Sequence, residues 1–209
     1  MKPRRHAGAG LMVALVMLVI MSLGAISLVR AVSTGRMVAA NLALRQAAVL
    51  AADTATEAAI NWLKSLVTTA DLYADQPDKG YYASVPDGLD ITGLGANGSS
   101  IAIDWESDEC KGSTASTCVK PAPALDADAA GNVMRYTIHR LCRSAGSPQS
   151  GTNSCLMVSS SAASSGKRGQ ISYGASSRFT MSAGVYYRIT VRTRGPRNTV
   201  VFTQTLVHF

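Results

Sequence analysis

The longest apolar run of the chain covers residues 9–29 and contains no charged side chain. Arg30 closes this run, and Lys2, Arg4 and Arg5 precede it. A helix over the run would rise about 30 Å, which matches the hydrocarbon core of a bilayer. The pattern predicts a transmembrane helix at residues 9–29, with the basic N-terminal residues on the cytoplasmic side of the membrane.

Helical periodicity continues directly after this run. Residues 30–73 carry two adjacent apolar rows at three- and four-residue spacing, which predicts an amphipathic helix continuous with the span. One row is Val38, Leu42, Val49, Ala52, Ile60, Leu63 and Val67, and the other is Leu44, Ala48, Ala51, Ala55, Ala59, Trp62 and Leu66. Two alternatives are a break into two helices at Gly35 and a secretory signal cleaved after Ser33. The apolar run exceeds the 7–15 residues that are usual for a signal core, which weighs against the second.

Residues 74–209 predict an α+β head in which the long helix packs on an antiparallel β-sheet. Residues 74–99 are loop-like, and period-two alternation then appears at residues 101–105 and 133–142. The clearest element is a hairpin of residues 185–194 and 199–208 around a four-residue turn. Between these strands, residues 143–183 are rich in Ser, Gly and Ala. They predict a surface excursion with one short strand at residues 156–158.

Charge is distributed unevenly along the chain, whose formal net charge is +7. Asp and Glu are concentrated in residues 71–128, whereas residues 129–209 carry Lys and Arg without any acid. A basic segment can bind nucleic acid or anionic lipid. Here the arginines alternate with apolar residues and lack the stacked aromatics of a nucleic-acid platform, so no specific nucleic acid is expected. We expect solvated strand faces, or pairing with the acidic segment of the same or a neighbouring subunit.

All four cysteines follow the predicted span, which indicates an extracytoplasmic domain with two disulfides. Three pairings are possible. The bonds Cys110–Cys118 and Cys142–Cys155 are preferred because each pair flanks a loop rich in Gly, Ser, Thr or Lys. In the chain-entropy model each bond would contribute about 2–3 kcal/mol. A zinc site is the alternative, but the cysteines lack the two-residue spacing and the clustered histidines of such sites.

Residues with catalytic chemistry are sparse. The three histidines are scattered, and the nucleophile elbow, the phosphate-binding glycine loop and the zinc-protease helix motif do not occur. Asp126 and Asp128 weakly resemble the start of a calcium loop, but the remaining ligand positions are missing, which favours a turn before a strand. The sequence therefore predicts a protein without enzyme activity, metal or cofactor.

Three stretches near the two ends of the chain occur in a characteristic order. A basic leader ends at Gly8, and the apolar helix follows it directly, so that residues 8–15 read Gly-Ala-Gly-Leu-Met-Val-Ala-Leu. The amphipathic part carries Ala-Ala-Asn-Leu at residues 39–42, then Arg45, then Ala-Ala-Asp at residues 51–53. The hairpin of residues 187–204, with the strand before it at 136–142, completes the series. In this order the stretches resemble the type IV prepilins, and more narrowly the PilX-type minor pilins. Residues 74–125 and 143–183 lie outside the resemblance.

The resemblance implies a pilin-like α+β fold and a structural role in pilus assembly. Residues 1–8 would be a leader that a prepilin peptidase removes between Gly8 and Ala9, with Gly10 as the alternative border, and the new N-terminus would be methylated. The subunit would sit in the inner membrane, with its N-terminus cytoplasmic and its head periplasmic, before it joins a pilus at the cell surface. Its helix would pack with the major pilin and other minor pilins, near a tip adhesin. The functions open to such a pilus are adhesion, twitching motility and DNA uptake.

One position departs from the pattern that the resemblance implies. The fifth residue of the mature chain would be Val13, where most pilins carry Glu. A carboxylate in these apolar surroundings would be costly unless it paired with the amine of a neighbouring subunit. Its absence suits a subunit at or near the pilus tip. Two other functions stay open, a type II secretion pseudopilin and a signal-anchored binding domain of the cell envelope.

Overall fold

A computed structural model describes residues 9–67, 69–95, 101–111, 115–158 and 184–209. The chain divides into two compact units, Met1–Gln46 and Ala47–Phe209. The described part of the first unit is entirely helical, whereas the second combines the remainder of that helix with two β-sheets. The class is therefore α+β, as the sequence predicts.

Helix α1 extends over Ala9–Leu66 and continues without interruption through Gly35. The alternative of two helices broken at Gly35 is therefore wrong. The helix stops at Leu66 because the Leu66 carbonyl oxygen already accepts two hydrogen bonds from Thr69. The Thr69 amide donates at 2.9 Å and Oγ1 at 2.8 Å. The predicted continuation to residue 73 is wrong at this end, since Ala70–Tyr73 forms a separate 3₁₀ helix.

Seven strands lie within the described residues and form two sheets. In chain order they are β1 (Tyr81–Tyr82), β2 (Leu89–Asp90), β3 (Ile101–Ile103), β4 (Thr117–Val119), β5 (Val133–Arg140), β6 (Tyr186–Arg194) and β7 (Val200–His208). The larger sheet has the order β1-β5-β6-β7, and the smaller has the order β2-β3-β4. A short 3₁₀ helix at Pro196–Asn198 joins β6 to β7, so the predicted hairpin is confirmed.

The prediction of an antiparallel sheet is correct for only part of the head. Strands β5, β6 and β7 are antiparallel, but β1 runs parallel to β5, and all three strands of the smaller sheet are parallel. The parallel partners are two or three residues long. Strand β3 lies within the alternation predicted at residues 101–105. Strands β1, β2 and β4 contain too few positions to produce a readable alternation, so the sequence pattern did not indicate them.

A left-handed glycine positions β1 beside β5. Gly80 has φ +66° and follows a 3₁₀ helix at Pro77–Lys79. A Cβ at this position would lie 2.3 Å from the amide nitrogen of Ala122 and 2.9 Å from the carbonyl oxygen of Tyr136. The Gly80 carbonyl meanwhile accepts from the amide of Ile138 at 2.8 Å. Only glycine combines this conformation with so close an approach of three backbone segments.

Candidate functional site

The described part of the first unit presents a long apolar helical surface. Every residue from Gly10 to Ala43 is exposed, including large side chains such as Leu11 (75 % exposed) and Leu18 (70 %). Within the described residues, one helix is long and apolar enough to cross a membrane, and its most apolar window contains no buried residue. Contiguous apolar surface of this extent marks contact with lipid or with other proteins. The segment is therefore a candidate membrane anchor and contact surface.

The sites predicted for processing and assembly lie at the start of this segment. Gly8 is outside the described residues, and Ala9 is the first residue of α1. Val13 lies one turn further on, is 59 % exposed, and has Leu11, Met12 and Leu15 as exposed apolar neighbours. Gly10 has open space where a Cβ would lie. The structure thus places Val13 on the exposed apolar surface.

The part of α1 in the second unit buries a face made mostly of alanine. Six residues at helical spacing are at most 6 % exposed, namely Ala48, Ala51, Ala52, Ala55, Ala59 and Leu63. This face packs with Tyr81, Met134, Ile138 and Ile189 of the larger sheet in one hydrophobic core. The buried face follows the second predicted row, joined by Ala52 and Leu63 of the first, while Val49 remains 42 % exposed. Methyl side chains let the helix backbone lie close to the sheet.

Both disulfides are present in the second unit, with the pairing preferred from the sequence. Cys110 is bonded to Cys118, and Cys142 is bonded to Cys155. Cys142 is 4 % exposed and belongs to the main core, whereas Cys118 is exposed. The described residues contain no free cysteine and no group of three or more His, Cys, Asp or Glu that could hold a metal ion.

Acidic and basic segments of the same chain meet at one face of the hairpin. Glu106, in the loop after β3, accepts hydrogen bonds from the guanidinium groups of Arg192 and Arg194. Arg135 lies directly opposite Arg192 across β5 and β6 and donates to the carbonyl of Trp105 at 3.0 Å. The hydrogen bond from Arg192 and the nearby guanidinium charges lower the pKa of Glu106. Of the arrangements expected for the basic segment, pairing within the subunit is therefore realised at Glu106.

Asp128, one of the two aspartates singled out before β5, closes a turn. The Asp128 carboxylate accepts from the Ala130 amide (2.9 Å), the Asn132 amide (2.8 Å) and the Asn132 side chain (2.7 Å). These hydrogen bonds, led by the Asn132 side chain, lower the pKa of Asp128. The carboxylate thus closes a turn, in agreement with the interpretation that the sequence favoured over a calcium loop.

No protein-family model, curated protein or solved structure matches this chain significantly.

Two buried polar side chains at the end of β5 were not singled out from the sequence. His139 and Arg140 are 0 % and 1 % exposed, although they point to opposite faces of the sheet. Both are buried because α1 covers one face while Tyr82 and the smaller sheet lie on the other. One residue in the sequence could have indicated this burial. Arg140 lies on the same strand face as Met134 and Ile138. An arginine on an otherwise apolar face is unusual unless it has a specific partner.

Proposed function

We propose that this protein is a minor pilin that acts in type IV pilus assembly, within the initiating complex at the pilus tip. Its helix would anchor the subunit in the inner membrane before assembly, with the N-terminus cytoplasmic and the head periplasmic. After removal of the leader by a prepilin peptidase, the same helix would pack with the helices of other pilins. A tip adhesin would be a neighbour of the head.

The observation that carries this proposal is the change in burial along α1. From Gly10 to Ala43 the helix leaves its apolar side chains uncovered, whereas from Ala48 to Leu63 one face is sealed against the head. A simple membrane anchor needs only the first property. A continuous helix that is core at one end and exposed apolar surface at the other suits a subunit that passes from lipid into a helical bundle.

Val13 supports a position at the tip of the assembly. A subunit with a carboxylate here could neutralise the amine of the subunit that it docks beside, which would favour repeated addition. Val13 provides no charge, but the subunit can still be contacted through its own amine and helix faces. It would therefore begin an assembly and would add poorly to one that already exists.

The test combines gene deletion with a count of copies in sheared pili. We expect few or no surface pili in the deletion strain, and few copies per pilus by quantitative mass spectrometry and immunogold labelling. Abundant label along the shaft, or wild-type piliation in the deletion strain, would contradict the proposal. Normal piliation with a defect in protein secretion would favour a pseudopilin instead.

A pair of variants isolates the role of the charge. Val13→Glu places an unpaired carboxylate among apolar neighbours and should reduce piliation, whereas the matched change Val13→Leu should leave it unchanged. Equal piliation in the two variants would remove the argument from the fifth position while leaving the deletion test intact.

A further inference from the structure

Arg140 is a buried cation held by backbone carbonyls. It is the last residue of β5 and is 1 % exposed. Its Nε donates to the carbonyl of Ala83 at 3.0 Å, and its Nη2 donates to the carbonyl of Gly146 at 2.7 Å. These bonds connect the residue that follows β1 to the loop after β5. They use two of the three guanidinium nitrogens.

No carboxylate in the described residues balances the charge of Arg140. None lies within 4.0 Å of its nitrogens, and Nη1 donates to no acceptor in this part of the chain. Asp75 binds the same residue as Arg140, but through the opposite group, since its Oδ1 accepts from the Ala83 amide at 2.7 Å. The ring of Tyr73, with its centroid 5.8 Å from the guanidinium carbon, supplies a cation–π contact. Buried charges in proteins are normally paired, whereas among the described residues no carboxylate oxygen lies within ion-pair distance of this one.

Arg140 is one of the residues that line a cleft of about 280 Å³, whose walls are partly apolar and partly polar. Leu72, Val185, Tyr187 and Phe209 contribute to these walls, and Gln149 lies in the loop that borders the cleft. The rings of Tyr187 and Phe209 are 6.2 Å apart and tilted by 53°. Small-molecule sites are typically concave, mostly apolar and equipped with a few polar groups. This cleft is more polar than such sites, and its volume is just below the roughly 300 Å³ at which they begin, which suits a ligand with about one ring.

We propose that this cleft binds a carboxylate carried on an apolar or aromatic group. The carboxylate would accept from Nη1 of Arg140, which donates to no acceptor among the described residues. Guanidinium groups are the preferred partners of carboxylates in desolvated sites. The apolar body would lie against Leu72, Tyr187 and Phe209. A small free acid and the C-terminal carboxylate of a peptide share this chemistry. The inference does not depend on a role in pilus assembly.

The test uses the full-length oxidised protein in a neutral detergent and ligand-observed fluorine NMR. The probe is 3-(4-fluorophenyl)propionate, and its neutral control is the corresponding primary amide. We expect saturable line broadening for the acid and at least about tenfold weaker binding for the amide. A second pair, acetyl-Gly-Gly-(4-fluoro-Phe) as the free acid and as the carboxamide, tests the chain-end source. If an acid binds and the corresponding amide does not, the proposal is supported. The pair that shows this difference identifies the carboxylate as that of a small acid or that of a peptide C-terminus.

Two substitutions locate the binding without disturbing the buried arginine. Gln149 is exposed, and Gln149→Trp should obstruct the cleft and weaken binding of the acid about tenfold or more. Ala124→Trp, at an exposed position outside the cleft lining, is the matched control and should leave binding unchanged.

A third substitution changes the arginine itself. Arg140→Lys should also weaken binding, and its folding is checked by circular dichroism. If Arg140→Lys does not fold, the effect of Gln149→Trp decides whether the acid binds in this cleft.

Three results would overturn the proposal. They are no saturable binding of either acid up to about 10 mM, equal binding of acid and amide, and binding that Gln149→Trp leaves unchanged.

Discussion

Tyr82 stacks on the buried imidazole of His139, with ring centroids 5.3 Å apart and an angle of 18° between the planes. His139 is fully buried, and neither of its ring nitrogens has a hydrogen-bond partner within the part of the chain that the structure describes. Arg188 lies directly opposite it across β5 and β6. Burial, with the Arg188 charge as a secondary cause, lowers the pKa of His139 to about 4 from 6.5. The imidazole is therefore neutral in the folded head at neutral pH.

We predict that His139 makes the head less stable as pH falls from 6.5 to about 4. In this window the unfolded chain binds a proton that the folded chain excludes, so stability is fully present above pH 6.5 and is lost on acidification. The complete loss would be roughly 3 kcal/mol. Urea unfolding followed by tryptophan fluorescence at about pH 7 and about pH 5 measures the effect.

Two variants assign this pH dependence to one residue. His139→Phe keeps a ring against Tyr82 and should flatten the pH profile of the unfolding free energy between these values. His208→Gln, at an exposed position on β7, should keep the wild-type profile. Glu106 and Asp128 have lowered pKa values, so their effect on the pH dependence of the unfolding free energy falls mainly below this window. An unchanged slope in His139→Phe would contradict the assignment.

The alanine face of α1 should tolerate larger side chains poorly. Ala55 is 0 % exposed, so Ala55→Leu must displace the helix or the sheet, at a cost of about 1–3 kcal/mol in the free energy of unfolding. Asn61→Leu adds a similar side chain to the exposed side of the same helix and should change stability by less than about 0.5 kcal/mol. Chemical denaturation of both variants measures the difference. Equal effects would mean that the helix is not closely packed at Ala55.

Glu106 should stabilise the head by holding two arginines of one strand. Glu106→Gln removes both ion pairs and leaves Arg192 facing Arg135, so we expect a loss of about 1 kcal/mol that shrinks at high salt. Glu109→Gln is the matched control because Glu109 lies in the same loop and forms no ion pair among the described residues. Denaturation at low and high ionic strength tests this. A salt-independent loss would exclude the electrostatic explanation.

Removal of the two disulfides should have unequal effects. Replacing Cys142 and Cys155 by Ala should cost about 2–4 kcal/mol, since the bond closes the longer loop and Cys142 is part of the main core. Replacing Cys110 and Cys118, eight residues apart, should cost less. Thermal unfolding of the two double variants makes the comparison. Non-reducing peptide mapping of the wild type should give the same two pairs, and a Cys110–Cys155 peptide would contradict the structure.

Maturation should occur between Gly8 and Ala9. Gly8→Val should leave the uncleaved precursor in the membrane, because a prepilin peptidase would require the small residue at this border. N-terminal sequencing and intact mass of the membrane-extracted protein decide the point. A mature protein that begins at Thr34 would indicate signal-peptide cleavage, and normal maturation of Gly8→Val would exclude this border.

The long helix and the long strands of the fold were predictable from the sequence. Helix α1 extends over many turns, and the hairpin strands β6 and β7 are nine residues each, so their periodicity is unambiguous. The helix end at Leu66 was missed because apolar residues continue at helical spacing beyond it, while the stop depends on the side chain of Thr69. The predicted strand at residues 156–158 is reduced to isolated contacts, including a bridge between Met157 and Val185.

The surroundings of the buried polar and ion-paired side chains were less predictable. A strand pattern assigns His139 and Arg140 to opposite faces but cannot tell that both faces are covered, since this depends on the packing of α1 and the small parallel sheet. The same limit applies to Glu106, whose partners are more than eighty residues away in the chain. Pairing over this distance is a property of the tertiary structure and leaves no local pattern.

Each disulfide joins cysteines that are consecutive in the chain, eight and thirteen residues apart. If the head emerges into an oxidising compartment with its N-terminal side first, Cys118 arrives when Cys110 is the only available thiol. Cys142 then waits only for Cys155. Oxidation in the order of arrival therefore yields the native bonds directly, and a thiol oxidase alone can complete the head without a disulfide isomerase to rearrange wrong pairs.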